Sequence, residues 1–157
     1  MEINPEKTQD TQVPEENNIK VSILLPYFND ELGTELHQNT VDALHQFKIK
    51  PENITLTRTP GALELPFTAQ QIIKKDSPDV VIALGIIIKG ETSHYKHVCG
   101  ETYSGLMNVQ LKTETPIIFG VLTCKTIEQA KERCSKNGLN KGRSCAEAAI
   151  IQAQVNF

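Results

Sequence analysis

The run Val80-Val81-Ile82-Ala83-Leu84-Gly85-Ile86-Ile87-Ile88 decides the fold. A strand that shows one face to water alternates apolar and polar residues, and this run does not alternate. It is of strand length and roughly half as long as the ~20 residues a bilayer span needs. Its composition therefore predicts a strand covered on both faces, at the centre of a parallel sheet. On its N-terminal side, Val21 to Leu25 is a similar apolar run closed by Pro26. A helix from Glu31 to Phe47 follows, because Leu36, Val41, Leu44 and Phe47 keep the spacing of a buried stripe. Asn53 to Arg58 is a further strand, broken by Thr59-Pro60-Gly61, and a helix begins near Pro66, a residue suited to a first turn.

On its C-terminal side, a helix from His94 to Leu111 is expected to bury Tyr95, Val98, Cys99, Thr102, Leu106 and Val109. Pro116 to Thr123 is the fourth strand. Thr126 with Gln129 forms a capping-box pattern, Asn137-Gly138 supplies a stop, and a last helix runs from Gly142 to Gln154. Strands and helices thus alternate, which is the signature of βαβ units. The predicted fold is α/β, a three-layer α/β/α sandwich with a central four-stranded parallel sheet.

The 157 residues suffice for one domain. Residues 1–18 are polar, without the apolar segment of a signal peptide or the arginines of a transit peptide, and read as a flexible tail before a single domain at 19–157. The formal charge of -3 offers no broad cationic surface, so neither nucleic acid nor membrane is an expected partner. Cys99, Cys124, Cys134 and Cys145 lack the close pairing of a metal knuckle and read as reduced thiols of a cytoplasmic protein, with no metal site.

In open parallel sheets ligands bind beyond the carboxyl ends of the strands. Four such segments carry unusual residues: Tyr27-Phe28-Asn29, Pro60 to Glu64, Lys89 to His94 and Thr123 to Thr126. The third places a glycine and two hydroxyl residues between a buried strand and a helix start, where free backbone N–H groups hold anions. His94 closes that loop with an imidazole suited to proton transfer near neutral pH. No GxGxxG follows a strand, Gly138 to Ser144 lacks P-loop spacing, and no GxSxG elbow occurs, which disfavours dinucleotide, nucleoside triphosphate and serine-hydrolase chemistry.

Taken jointly, Phe28-Asn29, PGALELP (Pro60 to Pro66), LGIIIKGETSHY (Leu84 to Tyr95), PIIFGVLT (Pro116 to Thr123) and Thr126 through Asn140-Lys141-Gly142 resemble the lumazine synthase family. The resemblance spans Ile19 to Ala153, in order and with compatible spacing. It implies a flavodoxin-like fold and the condensation of 5-amino-6-(D-ribitylamino)uracil with 3,4-dihydroxy-2-butanone 4-phosphate to 6,7-dimethyl-8-ribityllumazine, a step of riboflavin biosynthesis needing no cofactor. By motif position, it implies that Phe28 stacks on the pyrimidine and that Ala62, Leu63 and Glu64 line the ribityl and pyrimidine region. Ile86, Ile87 and Ile88 present backbone groups to the uracil edge. Glu91 and Thr92 stand at the phosphate, His94 and Arg133 are the catalytic pair, Arg133 also binding the phosphate, and Phe119 and Lys141 complete the pocket. Phe119 and Arg133 belong to the neighbouring chain of a pentamer. The short segment from Arg133 to Gly142 permits an icosahedral shell of sixty subunits, and association with riboflavin synthase is a further implication. Tyr27, Leu63, Lys96-His97 and Ser144 depart from the usual pattern, Ser144 standing where an acidic partner for Arg133 is expected. Two other readings are a flavin-binding relative without turnover and a purely structural shell protein.

Overall fold

Burial of Val80–Ile88 on both faces organises a parallel sheet of four strands in the computed structural model, which describes residues 18–155. The polar tail assigned to 1–18 lies outside the described residues apart from Asn18. The strands are β1 (Val21–Pro26), β2 (Ile54–Thr59), β3 (Val80–Ile88) and β4 (Ile117–Cys124), in the order β2-β1-β3-β4. The helices are α1 (Asp30–Gln46), α2 (Leu65–Asp76), α3 (His94–Thr113), α4 (Ile127–Cys134) and α5 (Lys141–Ala153), with short 3-10 turns at Pro51–Asn53 and Ala62–Glu64. The predicted three-layer α/β/α sandwich is the architecture found.

The period of two along each strand divides the core into two layers. Val80, Ile82, Leu84 and Ile86 of β3 meet α1, α4 and α5 through Leu36, Leu44, Ala130, Ala146 and Ile150. Val81, Ala83 and Ile87 meet α2 and α3 through Leu65, Ala69, Leu106 and Val109. Each fully buried Leu or Ile contributes about 1.5–3 kcal/mol through removal of apolar surface from water.

Polar residues inside α1 are satisfied rather than excluded. Asn39 donates from Nδ2 to the carbonyl of Cys134 at 2.8 Å, tying α1 to the end of α4. Thr40 donates to Leu36 O at 2.8 Å on its own helix. Thr126 Oγ1 accepts from Gln129 N at 3.2 Å, while the Gln129 side chain accepts from Lys125 N at 2.8 Å, so the capping pattern read from the sequence is reciprocal but shifted by one residue. The helix it opens stops at Cys134, before Asn137-Gly138, and the chain turns back as Leu139 N donates to Glu132 O at 2.9 Å.

The expected burial of Tyr95, Val98 and Cys99 is corrected: all three are only half-buried, and the buried stripe of α3 begins at Thr102. The first turns of α3 lie past the end of β3, where an open cleft rather than the sheet faces them.

Gly142 marks the closest approach of α5 to α1. A Cβ there would stand 2.6 Å from Leu36 O and 2.9 Å from Thr40 N, both backbone atoms of a packed helix. Gly142→Ala is therefore expected to force the helices apart and cost about 1–3 kcal/mol. Urea titration should show a lower midpoint at an unchanged slope.

Candidate active site

β1 and β3 run side by side only from Val21–Val80 to Leu24–Ala83, whereas β3 stays paired with β4 through Ile88–Cys124. The chain leaves β1 toward α1 on one face and leaves β2 and β3 toward α2 and α3 on the other. Between β1 and β3 the strand order reverses, and a cleft opens there at the carboxyl ends. Its volume is about 460 Å³, within the range of small-molecule sites.

Three strand-end loops supply the wall. The first follows β1. Asn29 adopts a left-handed conformation (φ 57°) tolerable for asparagine, and its Nδ2 donates to Ile86 O at 2.9 Å, bridging the gap that the lost ladder leaves between β1 and β3. Beside it Phe28 stands 73% exposed, an aromatic face uncovered by its own chain. The second loop follows β2. Glu64 accepts from Gly61 N at 2.9 Å through Oε2, and a Cβ on Gly61 would come within 3.1 Å of that oxygen. The carboxylate thereby closes a tight turn around Ala62 and the exposed Leu63. The third loop follows β3, where Thr92 Oγ1 accepts from His94 N at 3.3 Å. Thr92 and His94 are both solvent-exposed at the head of α3.

Of the residues predicted from the sequence, Phe28, Ala62, Leu63, Glu64, Ile86, Ile87, Ile88, Thr92 and His94 line this one cleft. Glu91, adjacent to Thr92, is exposed but outside the wall. Phe119, Arg133 and Lys141 are also outside it. Phe119 packs edge-on against Tyr103 at 5.5 Å, and the exposed Arg133 donates from Nη1 to Gln129 O at 3.1 Å on its own helix. Lys141 opens α5 after Asn140, whose side chain accepts from Arg143 N at 3.2 Å. Sequence reasoning had assigned no site role to Asn29, Tyr95 or Val98, which also line the cleft. The preference of asparagine for left-handed backbone before a helix was the available signal for Asn29. Tyr95 and Val98 fit a core stripe equally well.

None of the four cysteines is disulfide-bonded. Burial pushes the Cys134 and Cys145 thiols up to about 12, and raises Cys124 and Cys99 as well, so no thiol here is prepared as a nucleophile. Burial likewise raises Tyr95 and Tyr103 above the usual phenol value. Among the described residues no group of three or more His, Cys, Asp or Glu side chains is placed to hold a metal, and no helix is long and apolar enough to cross a membrane.

The 6,7-dimethyl-8-ribityllumazine synthase family model matches residues 18–156. The chain belongs to this family. It is a transferase of riboflavin biosynthesis that forms a lumazine, and the four-stranded parallel sandwich described above is consistent with the fold of the family.

His37 on α1 has its pKa lowered from 6.5, by burial first and by the Arg58 guanidinium second. The folded chain thus resists a proton that the unfolded chain accepts. Stability is full above about pH 6.5, declines as pH falls from there, and levels below the depressed pKa of the folded group. Urea midpoints at about pH 7.5 and about pH 5.5 should differ less for His37→Gln than for the parent, because only the parent loses the stability linked to the depressed imidazole pKa as pH falls.

Proposed function

We propose that the cleft condenses 5-amino-6-(D-ribitylamino)uracil with 3,4-dihydroxy-2-butanone 4-phosphate to give 6,7-dimethyl-8-ribityllumazine, phosphate and water. The observation that carries this reading is the convergence of three strand-end loops, each with the predicted residues, on one cleft of about 460 Å³ in a chain of this family.

The pyrimidine stacks on the uncovered Phe28 ring, and its edge meets backbone groups of Ile86 to Ile88. Ile86 O already accepts from Asn29, which fixes the height of that strand end against Phe28. Ala62 and Leu63 bound the ribityl chain. Glu64 uses Oε2 for Gly61 N, so Oε1 is the oxygen left to accept from ribityl hydroxyls. At the far end, Thr92 has its hydroxyl proton available for a phosphate oxygen while its oxygen accepts from His94 N. Glu91 flanks this position. His94 moves protons as the substrate amine adds to the ketone, water leaves, and phosphate departs. The substrate amine is the nucleophile, so placement and proton movement carry the rate.

Among the described residues, no lysine or arginine lines the cleft within one chain. A phosphate leaving group favours a planar cation, and Arg133 of a neighbouring copy supplies it, with Phe119 and Lys141 beside it. The working unit is accordingly a homo-oligomer, a pentamer in which each cleft is completed across an interface. The short Arg133 to Gly142 segment permits sixty such chains to close into a shell, able to associate with riboflavin synthase. Particles of only five subunits in electron microscopy would reject the shell.

Mixing purified protein with both substrates should produce lumazine absorbance and equimolar phosphate above an enzyme-free control. Arg133→Ala should raise KM for the phosphate substrate, and His94→Ala should lower kcat by about 10²-fold with a smaller effect on binding. If both variants match the parent, the site assignment is wrong. Interface-shared sites make a sharper prediction. Chains of Arg133→Ala and His94→Ala, co-refolded in equal amounts, should recover about a quarter of the parental rate, since random assembly pairs an intact His94 with an intact Arg133 in that fraction of clefts. No recovery would place both residues in the same chain's site.

A further inference from the structure

The turn from Pro26 to Asp30 presents Phe28, yet hydrophobic packing does not hold it in place. Tyr27 is 58% and Phe28 73% exposed, so burial fixes neither side chain. Beyond Leu24 the turn has also lost β3 as a ladder partner. Polar contacts replace what packing omits. Asn29 holds one flank, through Ile86 O. The other flank rests on β2, where Tyr27 N donates to Thr59 O at 2.9 Å and Arg58 makes a forked set of contacts.

Arg58 Nε donates to Leu25 O at 3.0 Å and Nη2 to Pro26 O at 3.3 Å. Nη2 also pairs with the Asp30 carboxylate at the first turn of α1. The guanidinium carbon lies 4.1 Å from the centroid of the Tyr27 ring. One planar cation therefore touches four of the residues on either side of Phe28 without lining the cleft. An exposed ion pair alone is worth little. A fork that also captures two backbone carbonyls and an aromatic face fixes geometry, which a point charge does not.

We infer that Arg58 is a positioning residue that sets where the Phe28 ring stands, and through that ring the affinity for the pyrimidine substrate. The inference rests on the proposed role of Phe28 as the stacking platform. Tyr27, which departs from the family pattern, is part of the same device: its ring is the surface on which the guanidinium lies. Arg58 acts only through Phe28, so its removal loosens one half of the cleft and leaves the Thr92 and His94 loop in place.

The test compares Arg58→Met, Arg58→Lys, Phe28→Ala and the double variant Phe28→Ala with Arg58→Met in the full chain. Arg58→Met should raise KM for the pyrimidine about tenfold while KM for the phosphate substrate stays within about twofold. Arg58→Lys, which keeps the charge but not the fork, should fall between Met and the parent. The double variant should be no worse than Phe28→Ala alone, because a residue that acts through the ring has nothing to act through once the ring is gone. Calorimetric titration with the pyrimidine alone reads the same coupling without turnover. Amide hydrogen exchange in Arg58→Met should quicken across Tyr27 to Asp30 and stay unchanged across Ile86 to His94. Equal rises in both KM values, multiplying effects in the double variant, or unchanged exchange at the turn would each overturn the inference. A parent that binds the pyrimidine without product formation refutes the proposed reaction and leaves the coupling to be read by titration. A parent that binds neither substrate refutes the proposed reaction too, and exchange at the turn then decides whether Arg58 holds it.

Discussion

Everything at the cleft depends on one event in the sheet, the parting of β1 from β3 after Leu24–Ala83. A parallel sheet whose chain exits to opposite faces on either side of one seam cannot keep that seam zipped to its end. β3 remains continuous because β4 follows it to Ile88–Cys124, so one wall of the opening is a rigid strand. The other wall is a short turn with no ladder of its own. A rigid edge opposite a turn allows an aromatic ring to be aimed at a row of backbone groups. A fully paired sheet would bury the same residues.

The parting has an energetic consequence that the local sequence answers. Backbone groups released from a ladder need other partners, since an unsatisfied buried carbonyl or N–H costs about 1–3 kcal/mol. At the seam itself Asn29 takes Ile86 O, while at the ends of β1 and β2 Arg58 takes Leu25 O and Pro26 O and Glu64 takes Gly61 N. Each of these side chains closes a local backbone account and at the same time fixes a loop of the wall. Structural satisfaction and positioning of the wall are thus one set of contacts, and for that reason polar residues here are poor candidates for neutral substitution.

The sheet and both helical layers were legible because burial leaves a period in the sequence. Val80–Ile88 has no polar phase, and of the stripe Leu36, Val41, Leu44 and Phe47 all but the partly buried Val41 are in the core. The start of α3 was misread because periodicity reports that a stripe is apolar and not what covers it. Tyr95 and Val98 continue the stripe of Thr102, Leu106 and Val109, yet they face the cleft. Arg58 was invisible for a related reason. A basic residue on an edge strand is normally a solvated end, and nothing in its spacing shows that its guanidinium reaches the Leu25 and Pro26 carbonyls at the end of β1. Loop residues such as Thr92 and Leu63 were legible through the family resemblance, since a hydroxyl before a helix or a leucine in a turn carries little information alone.

The chemical character of the wall narrows the kind of catalysis it can support. Its polar side chains are one carboxylate already engaged by Gly61 N, the His94 imidazole, the Thr92 hydroxyl, the Asn29 amide and the Tyr95 phenol, amid apolar and aromatic surface. Cys99 is half-buried beside Tyr95 with its pKa raised by burial, the reverse of an activated nucleophile. A site of this kind gains rate by holding two reactants in contact and relaying protons, which suits a condensation between an amine and a ketone better than covalent catalysis by the protein. Among the described residues, none that lines the cleft carries a fixed positive charge. On the proposed reading the phosphate end of the slot, at Thr92, meets no cation of its own chain, and a guanidinium from a neighbouring copy balances its charge. On the proposed reading, assembly is therefore part of the electrostatics of the reaction: the chain folds the slot, and its neighbour supplies the sign.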